Sequence, residues 1–306
     1  MNVFGRSYRG MRPLRPTDVD PALEIAAYDP ATTVLAASRL RDMRRSLALG
    51  QEFTVWTGAG LMTSARDILA YASRSAASRT SGRGIGAWLW HGANAMPVGA
   101  DREAMAAFGE CLAARGRHCS SLVGNSSDVR ELFGHLESVW DRPREFRWSQ
   151  PLLEALQPPS VLPDPRLRPA RPEETDVVMA ASVAMFREEV GSDPTEFDGG
   201  RSYRARVRSL IAARRTYVIM DGNRVAFKAD VGALIPGLAQ LHGIWVAPRL
   251  RGRHIARTGV AAVIDWVRRD HARRVTLYVN DFNLPARRAY DAAGLRQIGE
   301  LATILF

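Results

Sequence analysis

Apolar positions in the second half of the chain follow two alternating periods. Between residues 173 and 190, Val177, Val178, Ala181, Val183 and Phe186 recur at helical spacing and predict an amphipathic helix with that face buried. Helical spacing returns over 203–214. It returns again over 255–270, through Ile255, Val260, Val263, Ile264 and Val267, and over 284–292, which Gly294 closes. Short β-branched runs separate the helices. Residues 167–170, 239–246, 275–279 and 295–306 read as strands, and 216–220 with 225–231 as a hairpin around Asp221-Gly222. The predicted order is βααβββαβαβ, an α/β (α+β) architecture with a central mixed sheet flanked by helices.

The first half echoes the second. Arg12-Pro13-Leu14-Arg15-Pro16 precedes a helix start at Thr17 or Asp18, which places Leu23, Ala26 and Ala27 on the core side. Arg168-Pro169-Ala170-Arg171-Pro172 does the same before an acidic helix start. Further on, Ala95-Met96-Pro97-Val98-Gly99, a helix over 101–115 and a strand ending at Asn125 mirror Trp245 to Pro248, the helix 255–270 and a strand ending at Asn280. Two copies of one fold account for this order. Prolines crowd the middle of the chain, which sets domains at 1–145 and 167–306 with a linker over 146–166. Residues 152–156 within that linker are expected to pack on the first domain. Residues 73–84, rich in Ser, Ala, Arg and Gly, read as a loop.

Composition narrows the function class. The 306 residues carry a formal net charge of +10, yet Lys228 is the only lysine and the arginines are scattered over many helices. That scatter argues against a nucleic-acid surface, and a basic surface equally steers a small polyanion. No apolar run is long enough to span a membrane, and residues 1–15 are basic without an apolar core, so a cytoplasmic location is expected. Two cysteines, Cys111 and Cys119, fit a reducing compartment and show no metal-ligand spacing.

The chemistry concentrates where a strand meets a helix. Pro248 stops the strand ending at Val246, and an arginine-rich loop holding Gly252 leads into the helix at Ile255. The first helical N–H groups lack intrahelical partners and point at whatever sits there, so strand, loop and helix start together form an anion site. The segment Arg251-Gly252-Arg253-His254-Ile255-Ala256 resembles motif A of the GNAT acyl-CoA N-acyltransferases. His254 departs from the family pattern, standing where the middle glycine usually lies. Asn283, Ala286, Tyr290, Gly294 and Leu295 fill the places of motif B.

The resemblance implies a tandem GNAT fold whose N-terminal copy is degenerate, since Val98-Gly99-Ala100-Asp101 offers a carboxylate where the second copy offers arginines. It is similar to the actinobacterial two-domain type with an N-terminal domain of uncharacterised function. It implies acetyl-CoA (coenzyme A) as cosubstrate, no metal, and transfer of the acyl group to a primary amine of a small molecule or peptide through a tetrahedral intermediate. Ile244, Trp245 and Val246 would line the pantetheine, and the Val246 N–H would donate to the oxyanion. Arg251, Gly252, Arg253, His254, Ile255 and Ala256 would hold the pyrophosphate, and Asn283, Ala286 and Arg287 the rest of the cofactor. Tyr290 would be the acid for the leaving thiolate. Gln240 stands where many members carry a basic glutamate, and His242, two residues on along the same strand face, is the expected base. Asp193, Glu196 and Asp230 are further candidates. Rival readings are an acyl-CoA-binding sensor without turnover and a transferase taking its acyl group from an aminoacyl-tRNA. A monomer and a homodimer both fit.

Overall fold

The Arg-Pro-x-Arg-Pro repeat builds the same local structure twice. Arg12 forks onto the Asp18 carboxylate, which also accepts the Arg15 N–H at 2.8 Å. Arg168 forks onto Glu174, which accepts the Arg171 N–H at 2.8 Å. In both places a bidentate pair ties a short strand to the single 3-10 turn that starts a helix. The acidic helix start thus anchors the arginine rather than only capping.

The computed structural model describes residues 10–58, 84–196 and 198–306. Residues 73–83, part of the loop expected from composition, lie outside the described residues. The chain divides into two units, Met1–Gln150 with Glu300–Phe306, and Pro151–Gly299.

Unit 1 runs β1 (Met11–Pro13), α1 (Val19–Ala26), α2 (Pro30–Asp42), α3 (Leu49–Glu52), β2 (Phe53–Trp56), β3 (Ala87–His91), β4 (Asn94–Val98), α4 (Arg102–Arg115), β5 (Ser121–Asn125) and α5 (Ser126–Gly134). The strand β6 (Glu145–Ala155) begins in it. Unit 2 contains β7 (Arg168–Pro169), α6 (Thr175–Val190), α7 (Arg201–Ala212), β8 (Thr216–Asp221), β9 (Arg224–Ile235), β10 (Leu238–Val246), α8 (Ile255–Asp270), β11 (Arg274–Tyr278) and α9 (Leu284–Ala292). The last strand is β12 (Leu295–Leu305).

Both units use one pairing scheme. In unit 1, β1, β2, β3 and β4 pair antiparallel in turn, β4 pairs parallel with β5, and Leu301–Leu305 of β12 pairs antiparallel with β5. In unit 2, β7, β8, β9 and β10 pair antiparallel in turn, β10 pairs parallel with β11, and Leu152–Glu154 of β6 pairs antiparallel with β11. Each sheet is therefore closed by a strand from the far end of the other sequence half.

That exchange differs from the domain limits expected from proline content. Residues 152–154 are strand rather than linker, and they belong to unit 2. Pro143 and Pro158 flank the strand, and the Pro151 carbonyl still accepts the Val279 N–H at 3.2 Å, so the prolines do not break the pairing. The end of the chain, 300–306, belongs to unit 1.

Unit 2 buries apolar side chains on both faces of its sheet. Val260, Val263 and Val267 of α8 and Tyr290 of α9 pack on Phe227, Val231 and Leu241. Val178 and Ala181 of α6 and Val207 and Ile211 of α7 pack on Val218 and Val225. Cys111 and Cys119 are both buried free thiols. Among the described residues no helix is long and apolar enough to cross a membrane.

Candidate functional site

Strand β10 is opened by two irregularities. It pairs with β11 only through Leu238, Ala239 and Gln240, opposite Arg274, Val275 and Thr276, and beyond them it keeps only β9. Against β9 the register slips: His242 faces Asp230 and Trp245 faces Lys228, so Gly243 and Ile244 together oppose the single residue Ala229. This is a β-bulge. Gly243 takes φ 56, and a Cβ there would stand 3.0 Å from Asp230 Oδ2 and 3.1 Å from Lys228 Nζ.

The bulge sets which backbone groups face the gap. The Ala247 N–H bonds the Ala226 carbonyl at 2.9 Å. Hydrogen-bonding direction alternates along an antiparallel pair, so the N–H and C=O of Val246 turn away from β9 toward the open edge. Arg251 confirms that direction, because its Nε donates to the Val246 carbonyl at 3.1 Å. Ile244 and Val246 lean on the main core while Trp245 faces α6, where its Nε1–H donates to Glu188 at 3.3 Å. Glu188 also holds Arg251 at 2.5 Å. Neither Glu188 nor Lys228 stands out by sequence motif, and spacing alone does not show that they serve this strand.

The loop after β10 has the expected form. A single 3-10 turn over Pro248–Leu250 leads to Gly252 at φ 77, and no atom lies within 4 Å of a Cβ built there. His254 is the N-cap of α8 and adopts a left-handed φ of 64, a conformation that costs a side-chain-bearing residue about 1 kcal/mol relative to glycine. Among the described residues, no acceptor meets the N–H groups of Gly252, Arg253, His254, Ile255 or Ala256. Arg253 makes no ion pair among them either. Five free amides and a guanidinium at a helix N-terminus form an anion cradle. On the α6 side of β10 lies a cleft of about 460 Å³ walled by Val177, Ala181, Val225 and Trp245, with Arg224 and Arg249 lining it too.

Helix α9 carries the second set. The Asn283 side chain caps the helix, accepting the Ala286 N–H at 3.2 Å, and Arg287 folds back onto the Asp281 carbonyl at 3.2 Å. Asn283 Oδ1 is thus committed to the fold, leaving its amide N–H groups for a ligand. Tyr290 is 7% exposed and shares one core cluster with Ile244, Val246, Ile255 and Ala286. Its hydroxyl makes no hydrogen bond among the described residues, and burial pushes its pKa above the ordinary 10.

Residues 201–295 match the acetyltransferase (GNAT) family. The chain carries a GNAT domain. Residues 75–178 match a domain of unknown function, DUF4081. Among solved structures, the GCN5-related N-acetyltransferase from Sphaerobacter thermophilus is similar over 98% of this chain and 95% of its own, with TM-score 0.60 and 16% identity. The acetyltransferase from the GNAT family from Colwellia psychrerythraea is similar over 97% and 99%, with TM-score 0.53 and 10% identity. At these identities the likeness concerns the fold. No curated protein sequence matches the chain.

The GNAT domain holds the candidate base in an unusual setting. His242 Nε2 lies 2.8 Å from Gln240 Oε1, and its ring stands edge-on to Tyr278 at 6.0 Å. Its Nδ1 lies where a Cβ on Gly232 would come within 2.2 Å, so the ring fills the space that glycine leaves. Burial, and then the charge of Arg206, push its pKa from 6.5 down to about 4. The imidazole is neutral at pH 7 and a weak proton acceptor. The other carboxylates considered from sequence are engaged: Asp193 with Arg187 and Thr195, and Asp230 with Lys228 and Thr216. Glu196 is exposed.

His91 in unit 1 is held similarly, with Nε2 2.7 Å from Thr54 Oγ1 and a pKa lowered by burial to about 4. A histidine depressed in the folded state stabilises fully above its unfolded pKa and loses that contribution as pH falls through the folded value. The window here runs from about 6.5 down to about 4. Urea melts at pH 5 are therefore expected to show each unit less stable than at pH 7 by about 2 kcal/mol. Stability that stays flat from pH 7 to 5 would mean that both imidazoles titrate near 6.5.

Proposed function

We propose that the protein transfers an acyl group from acyl-CoA to a primary amine. The observation that carries this reading is the combination of a split β10–β11 pair and an anion cradle directly after β10. The residues fit the cofactor: an extended arm can lie along the open edge of β10 beyond Gln240, and a pyrophosphate can lie on the amides of 252–256 with Arg253, Arg251 being held by Glu188 and the Val246 carbonyl. When bound, acyl-CoA supplies the acyl group as an activated thioester. The Val246 N–H is the donor for charge developing on the acyl carbonyl. Tyr290 supplies the proton for the departing thiolate, and Asn283, Ala286 and Arg287 flank the arm. His242, neutral at physiological pH, takes the proton of the amine and returns it to water.

In unit 1, Asp101 accepts the Ala104 N–H at 2.9 Å and caps α4. Its carboxylate sits where the cradle lies in unit 2, so that helix start repels a pyrophosphate. We assign cofactor binding to unit 2 alone. The weak basicity of His242 favours one second reading, an acyl-CoA sensor without turnover.

Thermal denaturation with acetyl-CoA, CoA and ATP tests the proposal. Acetyl-CoA and CoA are expected to raise the melting temperature while ATP does not, because a ligand of the native state alone stabilises it. His254→Gly removes the left-handed strain and is expected to raise the melting temperature with and without CoA alike. No rise at saturating acetyl-CoA would remove acyl-CoA from the reaction.

A further inference from the structure

The matched domain of unknown function contains a pocket unrelated to any cofactor loop. It opens in unit 1 where β3 ends at His91, α4 ends at Arg115 and β5 is about to begin. His91 pairs with Ala95 and Asn94 with Ser121 at this end of the sheet, whereas the Gly99-Ala100-Asp101 turn follows the opposite end of β4. The pocket therefore lies away from the degenerate copy of the anion loop.

Its volume, about 120 Å³, equals roughly four water molecules at the liquid share of about 30 Å³ each. That is room for a small molecule of a few heavy atoms. Leu112, Cys119 and Trp140 form buried walls, and His118, Gln51 and Arg115, whose side chain also hydrogen-bonds Cys111, stand toward the mouth. Among the described residues no carboxylate lines it. The polar side chains are cationic or can donate: a guanidinium, two imidazoles, an amide and an indole N–H. The Trp140 indole N–H is buried and has no acceptor among the described residues, although the residue is only 8% exposed.

Two features of the pocket could oppose an anion, and both are offset. The carbonyl end of α4 points here, but the Ala113 carbonyl accepts the Gly116 N–H at 3.4 Å and the Arg115 carbonyl lies 3.2 Å from His118 Nε2. Glu52 acts on His91 electrostatically, but its carboxylate is taken by Arg39 and Trp90. Arg115 and His118 both disfavour the protonated form of His91, and Glu52 favours it. Cys119 takes no part as a nucleophile, because burial pushes its thiol up to about 11.

We propose that this pocket binds a small oxyanion, held by the Arg115 guanidinium with His118 at the mouth and Trp140 on the wall. A carboxylate and inorganic phosphate share the required chemistry.

The test is a titration of the full chain with sodium phosphate, sodium acetate or sodium succinate, with sodium chloride as the ionic-strength control, read from the indole N–H resonances. Phosphate can also seat on the cradle of unit 2, so overall thermal stabilisation is not a sufficient readout. The chain has seven tryptophans, and Trp140→Phe identifies the resonance of Trp140 by its loss. One of the three anions is expected to move that resonance saturably while chloride does not. Movement by phosphate alone assigns a phosphoryl ligand, and movement by acetate or succinate a carboxylate. Arg115→Gln is expected to weaken binding roughly 10-fold or more, the worth of one charge-assisted hydrogen bond. Should that variant fail to fold, His118→Asn at the exposed mouth serves in its place and is expected to weaken binding in the same direction. The proposal is overturned if none of the anions moves the resonance beyond chloride, or if the movement persists unchanged in these variants.

Discussion

Replacing Asp230 with Asn is expected to lower the unfolding free energy of the GNAT domain by roughly 3–5 kcal/mol. Lys228, the only lysine in the chain, has a fully buried side chain. Its ammonium donates to Asp230 Oδ2 at 2.6 Å and to the Gly243 carbonyl at 3.1 Å. Thr216 Oγ1 donates to the other Asp230 oxygen at 2.8 Å. An amide at 230 keeps the shape but leaves the ammonium without a counter-charge in a place water does not reach. The loss comes from that stranded charge rather than from the worth of the pair itself. The double replacement Lys228→Met with Asp230→Leu is therefore expected to recover most of the stability. Urea melts of both variants decide the matter, and a loss below about 1 kcal/mol for Asp230→Asn would mean that the ammonium finds water.

The double variant has a second consequence. The Gly243 carbonyl belongs to the bulge, and Lys228 is what holds it. A stable double variant that binds acetyl-CoA less well would separate the positioning of Ile244 and Val246 from the stability of the fold.

How much of this site was legible in the sequence depends on the range of the forces involved. The helices 255–270 and 284–292 and the turn at Asp221-Gly222 lie where apolar spacing and turn residues place them, because capping and periodicity act over a few residues. The duplication was visible in Arg12 and Arg168, and the reason for it lies six residues on, in Asp18 and Glu174. Strand β6 was hidden because its prolines resemble a linker and its partner, β11, is more than a hundred residues away. The bulge was equally hidden. Nothing near Gly243 in sequence announces that Gly232 makes room for the His242 ring, or that Lys228 reaches the Gly243 carbonyl. The lowered pKa of His242 follows from burial and then the charge of Arg206, neither of which the residues next to it in sequence announce.

Tyr290→Phe is expected to lower kcat about 100-fold, or about 2.7 kcal/mol, while melting temperature and CoA affinity stay nearly unchanged. The two halves of that expectation rest on different atoms. The ring is packed in the main core, and phenylalanine keeps that packing. The hydroxyl has no hydrogen-bond partner among the described residues, so removing it strands no buried group and costs the fold little. Burial, with a lesser effect from Glu189, keeps the phenol protonated well above its ordinary range. At physiological pH the phenol therefore carries the proton that a departing thiolate would need. Thiol release from acetyl-CoA across a panel of primary amines measures kcat, and a melt with CoA measures binding. Unchanged turnover in the variant would assign the proton to water and leave Tyr290 as a core residue. Lost CoA affinity would instead place the hydroxyl in cofactor binding. Only a fall in kcat at constant affinity identifies a group that acts when the thiolate leaves.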